Sequence, residues 1–577
     1  MRTTIIVGAL GLLLLPVTAS AQEKKPPSPF GETIEVHVIN VDVVVTGKDG
    51  KPVRGLTKDD FELFENGAKR DISNFAEVDS PVTAAPSSPA TASAPAPASV
   101  APAAGEHADL RSRKIVLFLD ESSLRPFNRN KVLTAARGFL QQIVRPNDQV
   151  MLLSWRPGLQ VEMPFSSDTN TLTEKLAAIE KTSTSGTALF AEEQRVEKKI
   201  ARMPADFQTM VDGKVVNVPP PFALALSDAQ AFAMRLSHEQ NEKTAAITGV
   251  MATLRGMEGR KALVLVTERL DENPGASIFQ FLESLKDKFA GGGGFSWMSA
   301  AGEFTDRLVV SKITSAANSA GVTFYSIDAA GLGGDLEGMA ADRLSNEFAT
   351  TSAPGFKHSD ETFQAVRKIA SATGGTALTA SNNFQLAFDT IRNDLLAYYS
   401  IGYRANGGNE DAVRTIEVKL RNPRAGAIRT RQAFVERSTA SEIGDIVAAN
   451  LFYPVAKNDL NVRMKASAGA APAADQRVVP VDITIPTASL TLLPDGTDLH
   501  GSFSTYTAFI RADGVVSEIK HQQHQLRFPA ESLKRRKEIT LHYDLSVDAR
   551  TDGVSVGVMD DASHTTGFAA LKFEPAA

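Results

Sequence analysis

The order of apolar and polar positions divides the chain into segments of different period. Between residues 33 and 79, Val36 and Val38, then Val41, Val43 and Val45, alternate with other residues, the period of half-buried strands. The phase slips near Asn40, where a bulge would absorb it. Phe61 and Leu63 resume the alternation. Lys48-Asp49-Gly50-Lys51 and Asn66-Gly67 are hairpin signals, because Gly and Asn accept the positive φ of tight turns. These features predict a small β module over 33–79. Residues 80–108 are dominated by Ala, Pro, Ser and Thr, which bury no core and predict an extended linker.

The period changes in 109–396. Ile115-Val116-Leu117-Phe118-Leu119 is an unbroken apolar run, as expected of a parallel strand covered on both faces. Val132, Ala136, Phe139, Leu140 and Ile143 recur at helical spacing within Phe127–Val144. A strand is predicted at Gln149–Trp155, a helix at Leu172–Ile179, and further strands at Ala262–Thr267 and Val322–Ile327. Further helices are predicted at 275–289, 303–320, 360–372 and 383–396. Strand–helix alternation of this kind predicts an α/β fold with a doubly wound, mostly parallel sheet.

Residues 190–258 interrupt that rhythm with mixed charge (Glu192, Glu193, Lys198, Lys199), the break Pro219-Pro220-Pro221 and an alanine-rich helical stretch, Ala223–Leu254. They read as a helical insertion, either a packing hairpin or a partner-binding surface. Strand patterns return in 397–436 at Tyr398–Tyr403, Val413–Leu420 and Ile428–Val435, and this segment is expected to pack with 33–79 in one sandwich. Residues 436–447 read as helix or loop. Val478–Ile485, Leu499–Ala512, Lys537–Val547 and Gly553–Val558 predict a C-terminal β-sandwich over 448–577.

Bulk properties narrow the function. A chain of 577 residues accommodates about three to five domains. Net charge −6 provides no basic footprint for nucleic acid. Arg2, the apolar run Ile5–Leu15 and Ala19-Ser20-Ala21 match a cleaved signal peptide at 1–21, which predicts export to the periplasm or beyond. No later stretch carries about 20 consecutive apolar residues, so no transmembrane span is expected in the mature chain. The absence of cysteine removes disulfides, thiolate zinc sites, cysteine nucleophiles and a lipoprotein anchor together.

No catalytic set is assembled by the sequence. His238-Glu239 starts like a zincin helix, but position 242 is Glu and the second His is missing. His521 and His524 read as a solvated helix or loop, with a zinc pair as the alternative. Ser517-Glu518-Ile519-Lys520 spells a serine–lysine motif without companions, and no G-x-S-x-G elbow or Walker A loop is present. Gly331-Leu332-Gly333-Gly334 lacks the third glycine of a dinucleotide fingerprint, since position 336 is Leu.

Several short motifs, in order, carry a resemblance across most of 33–436. They are Val41-Asp42-Val43-Val44-Val45, Phe61-Glu62-Leu63-Phe64-Glu65-Asn66-Gly67, Asp120-Glu121-Ser122-Ser123, Gly259-Arg260-Lys261-Ala262-Leu263-Val264-Leu265-Val266, Tyr325-Ser326-Ile327-Asp328, Ile369-Ala370-Ser371-Ala372-Thr373-Gly374-Gly375 and Tyr399-Ser400-Ile401-Gly402-Tyr403. The chain resembles the von Willebrand factor A-related domain proteins that many bacteria export. The resemblance implies a von Willebrand factor A-like, Rossmann-like domain with flanking β-sandwich modules and a metal-ion-dependent adhesion site. That site is built from an Asp-x-Ser-x-Ser loop, a Thr and a later Asp, which hold Mg²⁺ or another divalent cation in a hard oxygen shell.

On this chain Asp120, Ser122 and Thr187 match, and Glu268 takes the later acidic position. The third loop position is Leu124, which cannot ligate; Ser123 is expected to point elsewhere, and Arg269 brings a competing cation. Two states follow. Either a divalent ion is held by Asp120, Ser122, Thr187 and Glu268, or the site is degenerate and Asp120 accepts hydrogen bonds beside Arg269. The function the resemblance implies is non-enzymatic binding of a protein or other cell-envelope macromolecule. The alternatives are a divalent-metal hydrolase using Asp120 and Glu268 around a water, or a structural part of an envelope assembly.

Overall fold

The computed structural model describes residues 38–79, 112–331 and 360–573, with breaks at 157, 205–207, 218–220, 290–292, 307, 380, 405–410, 454, 456, 467–475, 496, 512–513, 530, 533–534, 536 and 549. The expected signal peptide at 1–21, the linker at 80–108 and most of the Gly331–Gly334 loop lie outside the described residues.

The unbroken apolar run becomes the strand Arg113–Leu119, near the middle of a six-stranded sheet. The order across the sheet is Ala377–Leu378, Val322–Asp328, Arg260–Thr267, Arg113–Leu119, Gln149–Arg156 and Gly158–Ser166. All neighbours run parallel except the last pair, which is antiparallel. Because alternate residues of a strand face opposite sides, the sheet needs apolar cover on both. Ile115, Leu117 and Leu119 pack with the helices Pro126–Ile143, Thr169–Ile179 and Phe384–Leu396. Val116 and Phe118 pack with Pro221–Arg255, Leu308–Ala320 and Asp360–Ala372.

The stretch expected as a helical insertion is built differently. It contains the helix Gly186–Arg202, a small hairpin of Gln208–Val211 with Lys214–Asn217, and the 35-residue helix Pro221–Arg255. The second half of that long helix is part of the layer covering the sheet, through Ile247, Val250, Met251 and Leu254. Only its first half forms a separate core, where Phe222, Phe232 and Leu236 meet Ile278, Phe279 and Leu282 of the helix Ala276–Ser284. Alanine-rich composition conceals this division, because a small side chain is compatible with either surroundings.

Two β-sandwiches flank the α/β domain. In the first, strands from both ends of it interleave. Val38–Thr46 lies between Ala397–Arg404 and Ala427–Thr430, and Val413–Leu420 pairs with Phe61–Glu65. Asn66 and Gly67 both have positive φ, the geometry of a type I′ hairpin turn. At the junction Arg260 is buried, donating to the Asp394 carbonyl at 2.8 Å and stacking on Tyr398, while Arg429 makes two bonds of 2.7 Å to the Asp394 carboxylate.

The second sandwich packs the sheet of Arg463–Ala466, Gln476–Pro486 and Glu538–Asp548 on one centred on Asp498–Arg511 and Thr551–Asp560. Residues 436–447, expected as helix or loop, contribute to the helix Thr439–Asn450, which crosses the expected domain boundary. One side of this helix covers Tyr506, Ala508 and Phe568 of the sandwich. The other side approaches the end of the long helix so closely that a Cβ on Gly256 would lie 2.3 Å from the Asp445 carbonyl oxygen. Replacing Gly256 with Ala is therefore expected to lower stability by about 1–3 kcal/mol, the usual cost of forced overpacking, measured as a lower thermal midpoint of the whole chain.

Candidate functional site

The sheet has one switch point. From Arg113–Leu119 the chain winds toward one edge, then returns to place Arg260–Thr267 on the other side. The crevice beyond the carboxyl ends of two such strands is where open α/β sheets bind ligands. Asp120 follows one of these strands and Glu268 the other. The Asp120 amide bonds the Val266 carbonyl at 2.9 Å, so the two strand ends stay joined where their side chains diverge.

Asp120 is fully buried, and its carboxylate accepts four hydrogen bonds. Ser122 Oγ donates to Oδ1 at 2.7 Å; Ser123 Oγ, Thr267 Oγ1 and Lys243 Nζ all reach Oδ2, at 2.8, 2.7 and 2.6 Å. Ser123 thus joins the cluster it was expected to avoid. The turn folds it back, with Ser123 N on the Asp120 carbonyl at 3.0 Å, and its Oγ also accepts the Glu268 amide at 3.1 Å. Leu124 is buried in the sheet's core beside Leu119 and Val132, so the third loop position serves packing.

The cation in this cluster was not among the residues expected at the site. Lys243 comes from the long helix, retains 4% of its exposure, and also donates to the Arg269 carbonyl at 3.2 Å. Its signal in the sequence is positional. Leu236, Gln240, Lys243, Ile247, Met251 and Leu254 form a single buried stripe at helical spacing, and a lysine on such a stripe needs a partner. Gln240, one turn earlier, clamps Asp271 through both its main-chain groups, accepting from its amide at 2.9 Å and donating to its carbonyl.

The other expected residues separate. Both oxygens of Glu268 are engaged: Arg125 donates from its amide at 2.8 Å and from Nε at 2.7 Å, and Asn128 Nδ2 lies at 3.2 Å. Thr187 is exposed in the first turn of Gly186–Arg202, and no hydrogen bond among the described residues links it to Asp120. Its loop is pressed against the Asp120 turn, since a Cβ on Gly186 would lie 2.3 Å from the Leu124 carbonyl oxygen. Arg269, expected beside Asp120, turns its side chain to Glu193 at 3.2 Å and Asp271 at 3.2 Å. Burial works to lower the Arg269 pKa, but the carboxylates of Glu193 and Asp271 hold it above the usual range. Glu121 points the other way, into the buried guanidinium of Arg129 at 2.9 Å; burial still raises its pKa.

These contacts decide whether a divalent ion fits. A metal needs the carboxylate oxygens and the hydroxyl lone pairs of its ligands. Here an ammonium sits on Asp120, the serine hydroxyls donate into the same carboxylate, and Glu268 is neutralised by Arg125. Among the described residues no group of three or more His, Cys, Asp or Glu side chains is placed to hold a metal. The arrangement does not fit a divalent cation while Lys243 is in place.

The remaining candidates fall elsewhere. His521 and His524 lie on the strand Lys520–Pro529 rather than a helix or loop. An odd spacing on a strand sends them to opposite faces: His521 stacks on Tyr506 and His524 on Phe503. His238 is exposed beside Glu242 at 3.4 Å.

No family model matches the chain, and no curated protein does. Among solved structures, it is similar to an aerotolerance-related membrane protein from Bacteroides fragilis, at 14% identity over 49% of this chain and 98% of that one, with a TM-score of 0.21. It is similar to the conserved hypothetical protein BatB from Bacteroides thetaiotaomicron at 13% identity, over 49% and 96% of the two chains, with a TM-score of 0.21. Similarity to the manganese-loaded TRAP protein of Plasmodium vivax is 9% in identity, over 57% and 95%, with a TM-score of 0.19. Likeness at this level assigns neither ligand, partner nor activity.

Close to the Arg269–Glu193 pair, Glu197 has its pKa pushed up to about 7, first by burial and then by Glu193, with Lys198 opposing. The folded-state value lies above the ordinary 4.5, so the folded form binds the proton more tightly than the unfolded chain. Stability from this group is complete below about pH 4.5 and is lost as pH rises through about 7. Glu197→Gln is expected to remove that decline, so thermal melts across this window should show the variant gaining on the wild type as pH increases.

Proposed function

We propose that the protein is an exported, non-catalytic binding protein whose α/β domain recognises a protein or other cell-envelope macromolecule at the loop end of its parallel sheet. One observation carries this reading. The buried charges of the loop end are paired with one another, while two phenylalanines there remain exposed. Phe127, in the first turn of Pro126–Ile143, is 56% exposed, and Phe190, in Gly186–Arg202, is 37% exposed. Arg125 lies over the Phe190 ring at 5.5 Å and Lys131 over the Phe127 ring at 3.9 Å. Exposed aromatic rings beside cations are the composition of interface anchors, and the network beneath holds them in place. A metal-dependent hydrolase at this position would need Asp120 and Glu268 open to a water, and cations hold both.

Photo-crosslinking residues placed at 127 and 190 of the exported protein are expected to yield a common adduct. A probe at Val413, 65% exposed on the N-terminal sandwich, should lack it. Phe127→Glu should abolish the adduct formed from position 190. Identical adducts at all three positions, or none at 127 and 190, would contradict the proposal.

A further inference from the structure

We infer that Lys243 is a resident cation, a side-chain ammonium that takes the place of a metal ion at Asp120, so that this site assembles and persists without metal. The chemistry is that of a cation site: a buried carboxylate, three hydroxyls and a main-chain carbonyl converge at the switch point of the sheet. Asp120 is paired with Lys243, and Glu268, the second carboxylate at the strand ends, with Arg125. A divalent ion added beside Asp120 would face the Lys243 ammonium at close range in a water-poor interior, a costly state. An ammonium donates hydrogen bonds and leaves the hydroxyls free to donate into the carboxylate, as observed, whereas a metal would draw on their lone pairs.

The position of Lys243 is fixed by the fold. It lies on the stripe that packs on the sheet, one turn before Ile247 and one turn after Gln240, whose two bonds to Asp271 set the height of the 268–271 loop. Leu124 completes the replacement: where a third loop hydroxyl would serve a metal, an apolar side chain fills the core. A lysine on Asp120 and a leucine at the third loop position point the same way.

The inference concerns the cation and not the partner, so it stands or falls separately from the crosslinking result. The test uses the full exported chain, stripped with chelator, then titrated with Mn²⁺ followed by electron paramagnetic resonance, with thermal melts in parallel. The wild type is expected to show no Mn²⁺ binding that Asp120→Asn removes, and an unchanged melting temperature with or without metal. Lys243→Met should melt several degrees lower in chelator and recover part of that loss with Mn²⁺, and adding Asp120→Asn should remove the recovery. Wild-type Mn²⁺ binding that Asp120→Asn abolishes would overturn the inference, a result that needs no folded Lys243 variant. So would a Lys243→Met protein as stable as the wild type in chelator, or a destabilised one that Mn²⁺ leaves unchanged.

Discussion

The loop end of this protein depends on one buried ion pair, Lys243 Nζ on Asp120 Oδ2 at 2.6 Å. Removing both charges from water costs several kcal/mol per ion, and attraction alone offsets this only when the remaining donors and acceptors are satisfied. Asp120 meets that condition with three further hydroxyl donors, and Lys243 with the Arg269 carbonyl. The geometry is restrictive, so the pair fixes how far along its axis the long helix sits on the sheet. Other contacts of that helix share this register. Phe222–Leu236 reach the small core beside Ala276–Ser284, Ile247–Leu254 cover the sheet, and Gly256 meets the bridging helix Thr439–Asn450.

Charge burial recurs at the opposite end of the sheet. Arg260, Arg429 and Asp394 join the N-terminal sandwich to the α/β domain as Lys243 and Asp120 join helix to loop. Between these polar ends lie two apolar clusters, one per face of the sheet. Apolar burial supplies most of the cohesion but is non-directional, whereas the ion pairs allow few arrangements. In the proposed binding role, a framework with few alternative arrangements beneath Phe127 and Phe190 would lower the cost of ordering on binding.

Much of the architecture was legible where pattern and burial agree. The run Ile115–Leu119 reads as a doubly covered strand because both its faces are apolar, and the Asn66-Gly67 turn because only certain residues accept its φ. Strands with mixed or polar faces escaped. Gly158–Ser166 is an edge strand with exposed Leu159 and Val161, and Lys520–Pro529 carries Lys, His and Gln on both faces at its start. At the site, Asp120 and Ser122 were legible as a loop motif and do meet. Thr187, although its loop packs against the same turn, stays exposed. Lys243 was illegible as a site residue because its partner lies 123 positions away and helical spacing alone does not say what a buried charge faces.

The most direct measurement is a double-mutant cycle on this pair, using denaturant unfolding of the wild type, Asp120→Asn, Lys243→Met and the double variant. Breaking a buried pair from either side leaves an uncompensated charge and should cost about 3 kcal/mol or more. The double variant is expected to lose much less than the sum of the singles, a coupling of at least about 1 kcal/mol. Additive losses would mean that Lys243 and Asp120 act independently, and the resident-cation description of the loop end would be wrong.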